Sequence, residues 1–215
     1  MAEINTIKAD SNVQERLMDA AFTLFLECDF NKVTTRQIAA LANTSLSMIS
    51  YYFGDKQKLY NAMVRYQFKE IGDALESAVD EDYGLDFRAL LLNYLKIHNN
   101  RPNFPAFLTK ILAYKDGPGY MLLSEILDNK RDLIQKIITN SQNKNLISQH
   151  VDIDVLRIMM MSLSVFPFLI KGVLEHSNKM SVNDDVMEKV ARLAGGMLHE
   201  CTKPEQDSAW LALKK

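Results

Sequence analysis

Residues 34–56 read TTRQIAALANTSLSMISYYFGDK, and the punctuation of this stretch decides how the rest of the chain is read. Thr34 stands before a helical run, and Gln37 follows three residues later. That is the spacing of a capping box, in which each side chain takes the other residue's backbone N–H. The helix so opened is expected to bury Ile38, Ala39, Leu41 and Ala42. Asn43 stops it, because asparagine is the best substitute for glycine in the left-handed position after a helix. Ser45, or Thr44, caps a second short helix through about Tyr52. Gly54 and Asp55 break that helix, and Asp55 caps a long one from Lys56 to about Val79. Two short helices joined by a three-residue turn cross steeply and leave the second prominent. Ala39, Ala40 and Ala42 permit the close approach, and Ile49 anchors the second helix with Tyr52 and Phe53 behind it.

Upstream, a helix is expected from about Val13 to Cys28, capped by Ser11 with Gln14 three residues on. Val13, Leu17, Ala20, Ala21, Leu24 and Phe25 fall on one of its faces. Downstream, longer helices are expected over 86–100, 103–114, 120–141, 154–176 and 182–200. A Gly-Pro-Gly turn at 117–119 and a polar loop, SQNKNLISQH, separate the middle ones. The fold class is all-α: an N-terminal three-helix helix-turn-helix domain followed by a larger C-terminal helical bundle. The expected domains are 1–58, 59–203 and a tail, 204–215, which adds at most a short turn around Trp210.

Apolar residues make up 47% of the 215, enough for a sizeable core, and only 8 Gly and 5 Pro interrupt it. Cys28 and Cys201 form no CxxC pair and read as two reduced thiols of a cytoplasmic protein. The first residues, MAEINTIKADSN, carry acids and no apolar run, so no signal peptide is expected. The longest apolar stretch, IMMMSLSVFPFLI at 158–170, falls short of the roughly 20 residues a membrane span needs. It is expected to be a buried core helix, and no membrane partner is expected. The net charge of −2 gives no general attraction to nucleic acid, and residues 1–60 hold six Lys/Arg against seven Asp/Glu. Any DNA binding must rest on where residues are placed.

Within 34–56 the placement suits DNA. Leu46, Ser47, Ser50 and Tyr51 face outward on the second short helix and are uncharged. Hydroxyls bond to base edges or phosphates, and Met48 or Leu46 can touch a thymine methyl. Thr34 and Thr35 open a helix whose free N–H groups suit a phosphate. Lys56 and Lys58 sit in the first turn of the long helix, where a cation opposes the helix dipole unless a phosphate lies there.

Together these residues resemble the N-terminal domain of TetR-type (tetracycline-repressor-like) transcriptional regulators. The resemblance covers Ser11 to Tyr60 and rests on Thr34 or Thr35, Ile38-Ala39, Ser45, then Tyr51-Tyr52-Phe53-Gly54-Asp55-Lys56 and Leu59. The chain departs from the common pattern at Asn43-Thr44, Ser47, Met48 and Ser50. The last three lie on the base-reading helix. The resemblance implies that Tyr52 and Lys56 hold phosphates, with Thr34 and Thr35 on the other side. It implies that Ser45, Ser47, Met48 and Tyr51 face the groove and that Arg36 reaches a base or a phosphate. Lys56→Ala is then expected to weaken binding to all DNA sequences and to lower its salt dependence.

The same resemblance implies a homodimer through 154–176 and 182–200 on double-stranded operator DNA. Val186, Val190, Leu193, Ala194, Met197 and Leu198 form one stripe of the last helix, and Gly195-Gly196 would be explained by a close partner helix. It further implies a small-molecule effector held in the bundle. Candidate lining residues are Phe104, Phe107, Leu108, Ile111 and Tyr114, with Met121, Met160, Leu163 and Phe166. Pro167 frees a carbonyl near Leu163 and can kink the helix beside them. The expected function is a ligand-responsive transcriptional regulator, a repressor released by a small molecule. The alternative is a helical ligand-binding or interaction protein without sequence-specific DNA binding.

Catalysis has no support in the pattern. His98, His150, His176 and His199 stand in no ligand spacing, and adjacent His199, Glu200 and Cys201 point to different helical faces. No phosphate-cradling loop and no paired nucleophile and base occur. No enzyme, cofactor or metal is expected.

Overall fold

A computed structural model describes residues 2–80, 82–177 and 183–204, with side chains from Asn12 onward. Among them are nine helices: α1 (Ala2–Glu27), α2 (Thr35–Leu41), α3 (Leu46–Tyr52), α4 (Lys56–Ser77), α5 (Phe87–Asn100), α6 (Phe104–Ala113), α7 (Pro118–Asn143), α8 (Ile153–His176) and α9 (Asp184–Thr202). Two element boundaries depart from the sequence reading. Ser11 lies inside α1 rather than at its start, because the nine residues before it in the helix contain no breaker. The end of α4 gives way to a hairpin, β1 (Val79–Asp80) and β2 (Gly84–Leu85), pairing Val79 with Leu85 and Asp80 with Gly84. Asp80 accepts N–H bonds from Asp82 and Tyr83, which bend the chain, and Gly84 takes φ +77°. The turn expected around Trp210 lies outside the described residues.

The chain divides into two compact units, and the division falls within α4, α6 and α7. The first runs up to Lys69 and takes in Ala106–Ile126. Its buried side chains include Leu17, Ala21 and Phe25 of α1, Ile38 and Ala39 of α2, and Ile49 of α3. Phe53, Leu59, Phe107 and Ile111 are buried as well. The Phe22 and Phe107 rings meet edge to face at 5.0 Å.

The second unit holds Glu70–Pro105 and the chain from Leu127 onward. Its core joins Phe87, Leu90 and Leu91 of α5 to Ile138 of α7, Leu156 and Met160 of α8, and Ala191, Ala194 and Leu198 of α9. Side-chain caps fix three helix starts: Asp86 for α5, Asp152 for α8 and Asn183 for α9. α9 lies on α5 with Gly195 at the crossing. A Cβ there would stand 2.5 Å from the Arg88 Cα and 3.0 Å from the Phe87 carbonyl oxygen. The close neighbour that Gly195 serves is therefore α5 of the same chain. Gly195→Val is expected to destabilise the protein by about 3 kcal/mol, since backbone cannot move aside as a side chain can. Gly196→Ala, whose Cβ would meet nothing nearer than the Arg88 side chain at 3.6 Å, is expected to leave the denaturation midpoint unchanged or raise it. Equal losses for both variants would contradict this crossing.

α8 is not the buried core helix expected. It runs unbroken through Pro167, and only Leu156, Met160 and Ser164 are buried. By length and composition it could cross a membrane, with a mean hydropathy of 1.9 over its most apolar window, of which 17% is buried. Val155, Ile158, Met159, Phe166, Leu169 and Val173 are exposed, as are Leu193 and Met197 of α9. The apolar sequence of α8 is explained on one side only by its own chain.

His98 of α5 is 2% exposed and lies between the rings of Phe104, at 5.8 Å, and Phe168, at 4.5 Å. One ring N–H donates to the Ser164 carbonyl, and Nδ1 has no partner. Burial pushes its pKa down to about 4 from 6.5. The unfolded chain therefore binds the extra proton first as pH falls. The stability from neutral His98 is complete above pH 6.5 and drains away between 6.5 and about 4, roughly 3 kcal/mol in all. Denaturant unfolding of His98→Gln over that range should show a shallower pH slope. An unchanged slope would place the effect elsewhere.

Candidate nucleic-acid interface

The capping box at Thr34 forms as read. The Thr34 hydroxyl accepts from the Gln37 N–H at 3.2 Å, and the Thr34 N–H donates to Gln37 Oε1 at 2.8 Å. The hydroxyl also reaches Gln37 Oε1 at 2.8 Å, so this side chain is spent on its own helix. Thr35 is half-buried and Arg36 is exposed. α2 ends at Leu41, and Asn43 takes φ +49°. The N–H groups of Asn43 and Thr44 then fold back on the carbonyls of Ala40 and Ala39. Two expectations fail within α2. Leu41 is 52% exposed and Ala40 is exposed, so Ile38, Ala39 and Ala42 alone carry the packing. A helix of 7 residues has room for less than two full turns of buried stripe.

Ser45 occupies the position before α3 in extended geometry but makes no side-chain cap. Its Oγ lies 2.7 Å from Ser47 Oγ instead. Ile49 and Phe53 are buried and seat α3. Opposite them Leu46, Ser47, Ser50 and Tyr51 are exposed, and Met48 is half-buried beside them. Tyr51 projects furthest, at 73% exposure, with its ring edge to face with half-buried Tyr52 at 4.9 Å. α3 thus presents a short neutral face of hydroxyls and one phenol.

Lys56 behaves differently from a solvated lysine. Its ammonium donates to the carbonyls of Phe30 and Val33, both at 2.9 Å, and stands 4.3 Å from the centre of the Phe30 ring. It ties the loop after α1 to the start of α4. One N–H is left for an outside acceptor. Lys58 pairs loosely with Asp55 at 3.8 Å, both exposed. Lys110 of α6 does for α1 what Lys56 does for the loop. It donates to the carbonyls of Phe25, Leu26 and Cys28, at 2.9, 3.3 and 2.9 Å. The last turn of α1 carries no base of its own, so this distant ammonium meets the negative end of its dipole. Nothing in the local sequence around α1 announces it.

The candidate effector-lining residues divide between the two units. Phe107, Leu108, Ile111, Tyr114 and Met121 belong to the first unit, and Phe104, Met160, Leu163 and Phe166 to the second. Met121 and Phe166 are exposed. Phe107, Ile111 and Tyr114 come together at a cleft of about 230 Å³ within the first unit, alongside Phe25, Phe30 and Tyr60. Cys28 and Cys201 are exposed and in no disulfide.

Comparison with known proteins falls on the same stretch. Residues 17–63 match the family described as bacterial regulatory proteins, tetR family. Over 76 residues the chain is 37% identical to the HTH-type transcriptional dual regulator CecR of Shigella flexneri, which is 35% of this chain and 33% of that protein. Over 63 residues it is 35% identical to the HTH-type transcriptional regulator BetI of Serratia proteamaculans (strain 568), or 29% of this chain and 32% of that one. The matches thus span about a third of each relative's length. The fold extends the likeness further. The fatty acid degradation regulator FadR from Bacillus halodurans superposes with a TM-score of 0.66 at 14% identity, over 87% of this chain and 94% of that one.

Proposed function

We propose that the chain, whose residues 17–63 match the tetR family of bacterial regulatory proteins, is a transcriptional regulator that binds a two-fold symmetric operator as a homodimer. The observation that carries this reading is the α2–α3 corner. A left-handed Asn43 sets α3 across α2 with Ile49 buried and Ser47, Ser50 and Tyr51 outward. In this reading Ser45, Leu46, Ser47, Met48, Ser50 and Tyr51 meet the major groove. Thr35, Arg36, Tyr52 and the remaining N–H of Lys56 meet backbone phosphates, and Thr34 acts through its helix cap. The head is not basic, so a few placed contacts and two copies must supply the affinity.

The exposed stripe on α8, continued by Leu193 and Met197 of α9, supports pairing with a second copy. Its spacing, 155, 158/159, 166, 169 and 173, is that of one helical face. This reading puts the protein in the cytoplasm with its DNA, as a repressor that a small-molecule effector releases, with the reading head at 1–58 and the effector and pairing domain at 59–203. Selection of bound duplexes from a random pool by the full chain tests it. Enrichment of a two-fold symmetric sequence is the expected result. Recovery of the unselected pool would favour a helical interaction protein that reads no sequence.

A further inference from the structure

The cleft in the first unit is built from three parts of the fold. The end of α1 gives Phe25 and the loop gives Phe30; α4 gives Tyr60; α6 and the turn after it give Phe107 and Tyr114. Phe25 and Phe30 stack at 5.6 Å, and Tyr60 meets both edge to face, at 4.9 and 5.3 Å. Gly119 is what lets the Tyr60 hydroxyl enter the wall, since a Cβ there would stand 2.5 Å from it. The volume, about 230 Å³, is below the usual range for drug-sized ligands and suits one or two fused rings. Its walls are aromatic, and flat rings pack on such walls edge to face or offset.

The polar content is as specific as the apolar. Lys110 lines the cleft, and all three hydrogens of its ammonium are spent on main-chain carbonyls at the end of α1. A carbonyl is a weaker partner for an ammonium than a carboxylate is. Asp29, at the rim, is paired with Lys32 at 3.2 Å. Burial raises the Tyr60 phenol to about 12, so it stays protonated and can donate.

We propose that this cleft is a binding site for a small aromatic carboxylate, whose rings lie among Phe25, Phe30 and Tyr114 and whose carboxylate draws the Lys110 ammonium from the carbonyls of α1. The site stands on the geometry of the first unit alone. Its consequence, a looser α1 beneath the α2–α3 corner and hence weaker DNA binding, rests on the function proposed above.

Titration calorimetry on the full chain without DNA tests the site, using 1-naphthoate and its neutral counterpart 1-naphthamide. Naphthoate is expected to bind once per chain with a Kd below about 1 mM, and naphthamide about tenfold more weakly. Lys110→Met should erase that preference, and Lys110→Arg should keep it. Ala113→Trp, at an exposed position on the cleft wall, should block both ligands with the fold intact. If Lys110→Met fails to fold, the acid–amide preference of the native chain and the block by Ala113→Trp decide alone. No binding at about 1 mM, equal binding of acid and amide, or undiminished binding in Ala113→Trp would each overturn the proposal. Because no DNA is present, those failures leave the reading of α2 and α3 untouched. A chain that binds naphthoate but selects no DNA sequence would keep the site and lose the regulator.

Discussion

Replacing Ile158 by aspartate is expected to convert the protein from a pair into single chains of 24.5 kDa and to cut operator affinity by about 10²–10⁴-fold. Ile158 is 65% exposed near the N-terminal end of the α8 stripe, so the carboxylate disturbs nothing in its own chain. In a paired face it would be buried without a partner, at a penalty of several kcal/mol. The large loss on DNA follows from geometry. A second reading helix joined to the first binds its half-site at a high effective concentration, and separate chains lose that advantage. Light scattering gives the mass, and anisotropy on the selected duplex gives the affinity. A native chain that is already single at micromolar concentration would remove the pairing from the account. A native pair that Ile158→Asp leaves intact would move it off α8.

Lys56→Ala is expected to have the second largest effect, in two measurements at once. The ammonium's bonds to Phe30 and Val33 are charge-assisted and half-buried, so their loss should destabilise the head by about 1–3 kcal/mol. The Phe30 ring also loses the cation over its face. Binding to every DNA sequence should weaken, and the salt slope should fall by about 1 if the remaining N–H meets a phosphate. Arg36→Ala should lower the slope by a similar amount with no change in melting temperature, because Arg36 is exposed. A solvated Lys56 would change neither melting nor binding. A fall in melting temperature with an unchanged slope would make Lys56 a positioning residue only.

How much of this was legible in the sequence depends on the range of the forces involved. The capping box at Thr34 and the left-handed Asn43 are local chemistry, and both stand where the sequence put them. Asp55, Asp86 and the ends of α5 were readable for the same reason. Ser11 misled because a capping pair can also occur inside a helix, and only a breaker upstream would have made it a start. The hairpin at 79–85 was missed because strands of two residues are too short for alternation to register. The ties of Lys56 and Lys110 were invisible because they join positions 23 to 85 residues apart. Gly195 was explained by the wrong neighbour, since a glycine announces a close approach and not whose backbone approaches. The sequence of α8 reads as core because it is apolar on both sides. Periodicity cannot separate a face buried by its own chain from one that awaits another.

In the proposed complex two copies of α3, held by one dimer, enter the major groove on the same side of a DNA duplex. A hydroxyl-radical footprint of the selected sequence tests it most directly, run with the native chain and with Ile158→Asp. Two symmetric protected patches about 34–36 Å apart or a multiple of that are expected, both lost together when the dimer is broken. A single patch, uniform protection, or two patches that survive in separate chains would contradict it.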